Sequence, residues 1–176
     1  MTRRIAGERE VAQLVARLAA QISRRNRGVK DLALVGIKRR GVPLAERIAA
    51  RLNKGRKAKV PVGAIDITLY RDDLQMVAET PIVRGSEIDF DINGRTLVLV
   101  DDVVFTGRTI RAALSELLDF GRPEGIQLAV LIDRGHRELP IQPDFCGRVV
   151  RTRPSDLVDI YLVETDERDG VFLTRK

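Results

Sequence analysis

The chain has 176 residues, 44% hydrophobic and 32% charged, which reads as one globular domain, residues 1–176, with enough chain for a buried core. One cysteine, Cys146, excludes an intrachain disulfide; no apolar run nears the roughly 18 residues of a bilayer span, and Met1–Ala6 lacks a signal peptide's apolar core, so a cytoplasmic protein with no membrane partner is expected. A net charge of +6 favours anionic ligands or nucleic acid, while 4% aromatic residues and no tryptophan argue against a base-stacking platform.

Residues 8–25 set Val11, Leu14, Val15, Leu18, Ala19 and Ile22 on one stripe, the spacing of an amphipathic helix. The pattern closes on Arg24, Arg25, Arg27 and Gly28, which is ordinary C-terminal capping chemistry and equally a set of cations for RNA phosphates. Leu32–Ile37 lacks alternation and predicts a strand covered on both faces. It runs into Lys38-Arg39-Arg40-Gly41, then a second helical pattern through Val42, Leu44, Ala45, Ile48, Ala49 and Leu52. A short basic loop between a buried strand and a helix is an anion site in α/β sheets, whose ligands bind beyond the carboxyl ends of strands. Residues 63–70 alternate, Ile65, Ile67 and Leu69 against Asp66, Thr68 and Tyr70, and predict a half-exposed strand. From Arg71 to Arg95 periodicity fades over about twenty-five residues, a length that suits a lid over a reactive ligand. Leu128–Ile132 predicts another buried strand and Asp159–Glu164 a last short one, while residues 167–176 carry no usable pattern and are expected to fray. Strands alternating with helices predict an α/β fold, a mainly parallel central sheet flanked by helices on both faces.

The densest information lies in Leu97–Thr109. Leu97–Val100 reads as a buried strand that delivers two adjacent acids, Asp101 and Asp102, to the carboxyl end of the sheet. Val103, Val104 and Phe105 lead to Thr106-Gly107-Arg108-Thr109, and Ile110, Ala113, Leu114, Leu117 and Leu118 mark the buried face of a following helix. Free N–H groups and the positive dipole end of a helix start bind phosphate, Gly107 permits close backbone approach, and Thr106 and Thr109 add hydroxyls. Taken singly, Thr109 is an ordinary helix cap. Paired acids ahead of a phosphate cradle suit the hydroxyls and phosphate of a sugar phosphate.

These thirteen residues resemble the signature of type I phosphoribosyltransferases that binds phosphoribosyl pyrophosphate (PRPP). The resemblance implies that Asp101 and Asp102 hold the ribose hydroxyls and that Thr106–Thr109 holds the 5′-phosphate. Asp101, Asp102, Val103, Val104, Phe105, Thr106, Gly107, Arg108 and Thr109 would then line PRPP or its product UMP. It also implies Mg2+, bound mainly through PRPP with no firm protein ligand. Pyrophosphate falls to Lys38, Arg39 and Arg40, with a non-proline cis peptide at Lys38-Arg39 or next to it. A small hood and a flexible lid loop carrying Arg71 complete the implied fold. Purine enzymes of this fold usually carry a carboxylate before the Thr-Gly; here stands Phe105, which neither donates nor accepts a proton and favours a pyrimidine.

Longer segments narrow the resemblance. Val35–Lys38 with Arg40-Gly41, Asp66–Asp73 and Gln127–Pro140 are similar to the bacterial pyrimidine operon regulatory proteins, over roughly residues 10–164. That family implies conversion of uracil and PRPP to UMP and pyrophosphate, with catalytic roles for Asp101, Asp102 and Arg134. It further implies UMP-dependent binding of the pyrimidine operon leader mRNA, which attenuates transcription, and a homo-oligomer, dimer or higher. The uracil pocket falls at Asp133, Arg134 and the backbone near Val158; Asp133 is alternatively a buried partner of Arg134. Arg24, Arg25, Arg27, Arg148, Arg151 and Arg153, with His136 and Arg137, are the RNA-binding candidates. Each alone is equally a solvated charge, and His136 equally a hydrogen-bonded loop residue; grouped on one face they would form an electrostatic footprint. Arg39 departs from the family, which often has a hydroxyl residue there. The competing functions are a uracil phosphoribosyltransferase without an RNA role and a phosphoribosyltransferase for another base, such as xanthine or orotate.

Overall fold

A computed structural model describes residues 1–68 and 85–176. In chain order its elements are β1 (Thr2–Ala6), α1 (Glu8–Arg25), β2 (Leu32–Ile37), α2 (Gly41–Asn53), β3 (Val62–Ile65) and β4 (Thr96–Val104), then α3 (Arg108–Leu118), β5 (Gly125–Asp133), β6 (Phe145–Val149), β7 (Leu157–Tyr161), α4 (Val163–Asp166) and β8 (Gly170–Thr174). Five strands form a parallel sheet in the order β3-β2-β4-β5-β6. All six residues of β2 are buried, as an unbroken apolar run is when both faces are covered. Alternate residues serve opposite faces. Leu34, Val98, Val100, Ala129 and Leu131 pack with the stripe of α1 and the Leu44, Ile48 and Leu52 face of α2. Ala33, Val35, Leu97, Leu99 and Val130 pack with Ile110, Ala113 and Leu117 of α3. The α/β sheet with helices on both faces is the expected architecture.

A second sheet, antiparallel in the order β1-β8-β7, forms the hood. It is moored to the main sheet by Arg148 Nη1, which donates to the Ile5 carbonyl at 2.8 Å. Two expectations change here, and one strand is new. Residues 167–176 do not fray: they supply β8, the middle strand of the hood, where Val171 and Leu173 are buried in strand alternation. β1, unsigned in the sequence because it buries only Ala6 fully, pairs with β8. The last predicted strand shifts to Leu157–Tyr161, and Glu164 lies in α4.

Three more corrections concern the site's surroundings. The strand predicted over 63–70 stops at Ile65, because Asp66 Oδ1 accepts the Thr68 N–H at 2.9 Å and turns the chain in an Asx fashion; Leu69 and Tyr70 lie outside the described residues. β4 runs on through both acids to Val104, with Asp101 opposite Val130, so the acids are strand residues rather than part of the loop beyond. On α3, Leu118 is 55% exposed and Glu116 is buried in its place. Of the expected lid, residues 71–84 lie outside the described residues; 85–95 carry one isolated bridge, Ala64 to Glu87.

Candidate active site

Two glycines let the β2–α2 turn fold against the end of β4. A Cβ on Gly36 would lie 2.5 Å from the Gly41 carbonyl oxygen and from Val42 Cα, and one on Gly41 would overlap the Val100 carbonyl oxygen. The close approach sets Lys38, Arg39 and Arg40 beside Asp101 and Asp102. The Lys38–Arg39 peptide is cis, at the expected position. The result is an open cleft of about 490 Å³, walled by Lys38–Arg40, Asp66–Thr68 and Asp101–Val103, with Thr109 at its edge.

The acid pair is held by its own strand. Asp101 Oδ1 accepts the Asp102 N–H at 2.9 Å, and Asp102 Oδ1 accepts the Val103 N–H at 2.7 Å. Burial pushes the Asp101 carboxyl well above the usual carboxylate range, and the neighbouring Asp102 charge adds to it. Burial also raises Asp102, against the pull of its backbone hydrogen bond and of Arg40. Such a pair gains from hydroxyl donors and nearby positive charge, which a ribose beside a cationic loop supplies.

The cations differ in freedom. Arg39 is exposed. Lys38 Nζ donates to the Gly85 carbonyl and lies 3.8 Å from Glu87. Arg40 is forked onto Asp166 of α4, with Nε to Oδ2 at 3.0 Å and Nη2 to Oδ1 at 2.8 Å. Asp66 and Thr68, read in the sequence as strand positions and not as site residues, stand on the cleft wall; their only functional signal was the family-like run from Asp66. Asp166 gave no signal at all.

At the start of α3, Gly107 with φ of 93° is the N-cap, and no side chain caps the helix. Thr109 is therefore inside the first turn, not the cap. Thr106 Oγ1 accepts the Arg108 N–H at 3.3 Å, and the Thr106 carbonyl accepts the Glu138 N–H at 2.9 Å, so the loop after β5 braces the Thr106–Thr109 turn. Arg108 is exposed and pairs with Glu138 at 2.6 Å. Val103 is half-buried and Val104 fully so.

Beyond Phe105 lies an aromatic and cationic corner. The Arg134 guanidinium sits 4.0 Å above the Phe105 ring, a cation–π stack, and His136 meets that ring edge-on at 6.0 Å. Arg134 is buried, donates to the Arg153 carbonyl at 3.0 Å, and keeps a buried Nε without a partner. Asp133 does not pair with Arg134; its Oδ2 takes Arg137 Nη2 at 2.6 Å. Arg137 also donates to the Phe105 and Ile141 carbonyls, each at 2.9 Å, so this RNA candidate is half-buried and its guanidinium is engaged within the chain. Val158 is half-buried in β7 opposite Leu173. His136 is exposed and bonds through Nε2 to the Thr152 carbonyl at 2.8 Å.

The remaining RNA candidates do not share a face. The end of α1 lies at the amino end of β5, where Asn26 bonds Gln127 at 2.9 Å, and exposed Arg24, Arg25 and Arg27 are there. Exposed Arg151 and Arg153 lie at the carboxyl end, beside Arg134. Arg148 is half-buried and spent on Ile5. Arg71 lies outside the described residues.

A phosphoribosyl transferase domain model matches residues 2–155. The protein called "Bifunctional protein PyrR" in Roseiflexus sp. (strain RS-1) is 58% identical over 167 residues, 94% of this chain and 91% of that one. That of Chloroflexus aurantiacus is 55% identical over 166 residues, with 94% and 91% covered. The chain belongs to the phosphoribosyltransferase family, within it to the bifunctional PyrR proteins. Among solved structures, a hypoxanthine-guanine phosphoribosyltransferase of Bacillus anthracis matches with TM-score 0.72 at 16% identity, covering 99% of this chain and 98% of that one. The hypoxanthine phosphoribosyltransferase of Trypanosoma cruzi matches with TM-score 0.72 at 18% identity, covering 98% and 96%. These two likenesses show the fold. No helix among the described residues is long and apolar enough to cross a membrane.

Proposed function

We propose that this chain converts uracil and PRPP to UMP and pyrophosphate and, with UMP bound, attaches to the leader mRNA of the pyrimidine biosynthesis operon to attenuate transcription. One observation carries the catalytic half: a basic loop, an acid pair and an uncapped helix start meet at one cleft. Lys38, Arg39 and Arg40 receive pyrophosphate, Asp101 and Asp102 the ribose hydroxyls, and the first turn of α3 with Thr106 and Thr109 the 5′-phosphate. Uracil lies by Phe105, Arg134 and the backbone near Val158. Its N1 bonds to ribose C1′ as the C1′–O bond breaks; the electron pair leaves with pyrophosphate and the N1 proton passes to solvent. Positive charge grows on the sugar in the transition state, which the fixed acid pair stabilises.

Mg2+ suits the donor set. The cleft offers oxygen donors, the Asp66, Asp101 and Asp102 carboxylates and the Thr68 and Thr109 hydroxyls, and among the described residues no group of three or more His, Cys, Asp or Glu could hold a metal alone. Mg2+ carried by PRPP would neutralise charge on the pyrophosphate, with Asp101 and Asp102 the carboxylates nearest the ribose. Residues 1–176 act as one domain, in the cytoplasm, as a homo-oligomer. The regulatory half is supported by the relatives of 50–58% identity that are called bifunctional PyrR proteins.

The test is Mg2+-dependent UMP formation from uracil and PRPP, run beside xanthine, hypoxanthine and orotate. Product from uracil alone is expected, cut strongly by Asp101→Asn and by Asp102→Asn; unchanged turnover in both overturns the ribose assignment. Leader RNA and a scrambled RNA of equal length, each with and without UMP, test the regulator. Equal binding to both, indifferent to UMP, leaves the enzyme alone.

A further inference from the structure

We infer that Asp166, in the hood, is a positioning residue for pyrophosphate, acting by holding Arg40 at the mouth of the cleft. The inference rests on the proposed role of Lys38–Arg40. Both Asp166 oxygens accept from Arg40, at 2.8 and 3.0 Å. This two-pronged geometry fixes a guanidinium in angle as well as distance. The carboxylate is itself anchored without Arg40: Oδ2 accepts the Leu162 N–H at 3.0 Å and the Thr165 hydroxyl at 2.6 Å. Its side chain is 16% exposed, that of Arg40 35%. The less mobile partner is thus the acid, and the arginine follows it.

Arg40 has a second attractor. Asp102 also favours its charge, with Asp166 the stronger of the two. Without Asp166 the guanidinium would turn toward Asp102 and engage the carboxylate that the ribose needs. Asp166 therefore does two things at once: it keeps Asp102 available and leaves Arg40 Nη1, outside the fork, for an anion in the cleft. A carboxylate at this place weakens the net positive field of the loop but fixes its direction, and orientation is what a near-attack arrangement of pyrophosphate requires.

A neighbouring contact separates positioning from mere docking. Arg47, two turns along α2, is held by Glu164 at 2.6 Å and Asp169 at 2.7 Å. It ties the same hood segment to the same helix without reaching the cleft. Asp169→Asn loosens the hood; Asp166→Asn loosens the hood and frees Arg40.

The experiment titrates pyrophosphate with excess Mg2+ into the full chain by calorimetry, and measures KM for PRPP and kcat, for wild type and for Asp166→Asn, Asp169→Asn and Arg40→Ala. Melting temperatures are recorded for each. Asp166→Asn is expected to weaken pyrophosphate and raise KM for PRPP, each by about tenfold, with kcat within about twofold. Asp169→Asn is expected to leave both within about twofold of wild type. Equal losses in the two hood variants overturn the inference in favour of docking. Loss in Arg40→Ala with Asp166→Asn like wild type overturns it and leaves the proposed site standing. A wild type that binds no pyrophosphate, or an Arg40→Ala variant that binds it as wild type does, overturns the pyrophosphate assignment of Arg40 and the inference with it.

Discussion

Replacing Arg137 with alanine is expected to destabilise the fold by about 3–5 kcal/mol, the cost of leaving one partner of a buried ion pair alone. The Arg137 and Asp133 side chains are 11% and 14% exposed and meet at 2.6 Å. Arg137 also satisfies the Phe105 and Ile141 carbonyls. The Asp133 carboxylate keeps one compensation, the Gly135 N–H at 2.9 Å on Oδ1, which sets the expectation near the low end, about 3 kcal/mol. For a chain of this size that is a fall of about 6–12 °C in melting temperature. Urea unfolding at fixed protein concentration measures it. The double variant Asp133→Leu with Arg137→Leu should lose less than the sum of the single losses, since no buried charge is left unpaired. A loss below about 1 kcal/mol, with RNA binding abolished at temperatures where the variant is folded, would refute the buried reading and return Arg137 to the RNA surface.

Asp101→Asn should be more stable than wild type at pH 7 while turning over poorly. The folded protein holds the Asp101 proton more tightly than the unfolded chain does, so wild-type stability falls as pH rises from the unfolded value, about 4, through the raised folded one. Denaturant midpoints from pH 4 to 8 should therefore diverge with rising pH, and a variant weaker at pH 7 would contradict the burial argument. Gly36→Ala should cost about 1–3 kcal/mol and displace the Lys38–Arg40 loop, the proposed pyrophosphate site, because the added Cβ meets backbone at 2.5 Å; calorimetry with pyrophosphate reads the displacement, and wild-type affinity would refute it. Replacing Arg151 and Arg153 with Ser should remove the UMP-dependent part of leader RNA binding and flatten its salt slope by up to about 0.7 for each RNA phosphate no longer neutralised. The same change at Arg24, Arg25 and Arg27 should leave the UMP effect intact, and the reverse result would move the coupling to the other pole.

The elements legible in the sequence were those whose signal is local. α1 and β2 appear at the expected residues because a helical stripe and an unbroken apolar run are each unambiguous. The places of the acid pair, the Thr106–Thr109 turn and the basic loop were legible because chemistry-bearing residues sit at strand ends within a few positions of one another. What escaped depends on partners far along the chain. β1 and β8 stabilise each other across more than 160 residues, as in Arg3 opposite Leu173, and neither is distinctive alone. Asp166 reaches Arg40 across 126 residues. Glu116 carries no apolar signal, yet it is buried with Ser86 on one oxygen at 3.1 Å. Leu118, expected in the core, faces solvent because α3 ends before its stripe completes another turn.

The two arginine poles differ in how a bound nucleotide could reach them. β5 is nine residues long, so its ends lie about 26 Å apart. Arg24, Arg25 and Arg27 are at the amino end, tied to β5 through Asn26 and Gln127, where no wall of the cleft reaches. Arg151 and Arg153 are at the carboxyl end, within the segment that carries the Arg134 contacts: the Arg153 carbonyl accepts from Arg134, and the Thr152 hydroxyl donates to the Arg134 carbonyl at 3.0 Å. His136, edge-on to Phe105, bonds the same Thr152. A ligand can shift RNA affinity only where its own contacts differ between the two states. In the proposed pocket, a uracil ring against Phe105 and Arg134 would touch the segment that carries Arg151 and Arg153, and no contact links it to the far pole among the described residues. The amino-end arginines can contribute affinity to an RNA phosphate backbone, whereas the proposed uracil pocket gives dependence on UMP its direct route at the carboxyl end of the sheet.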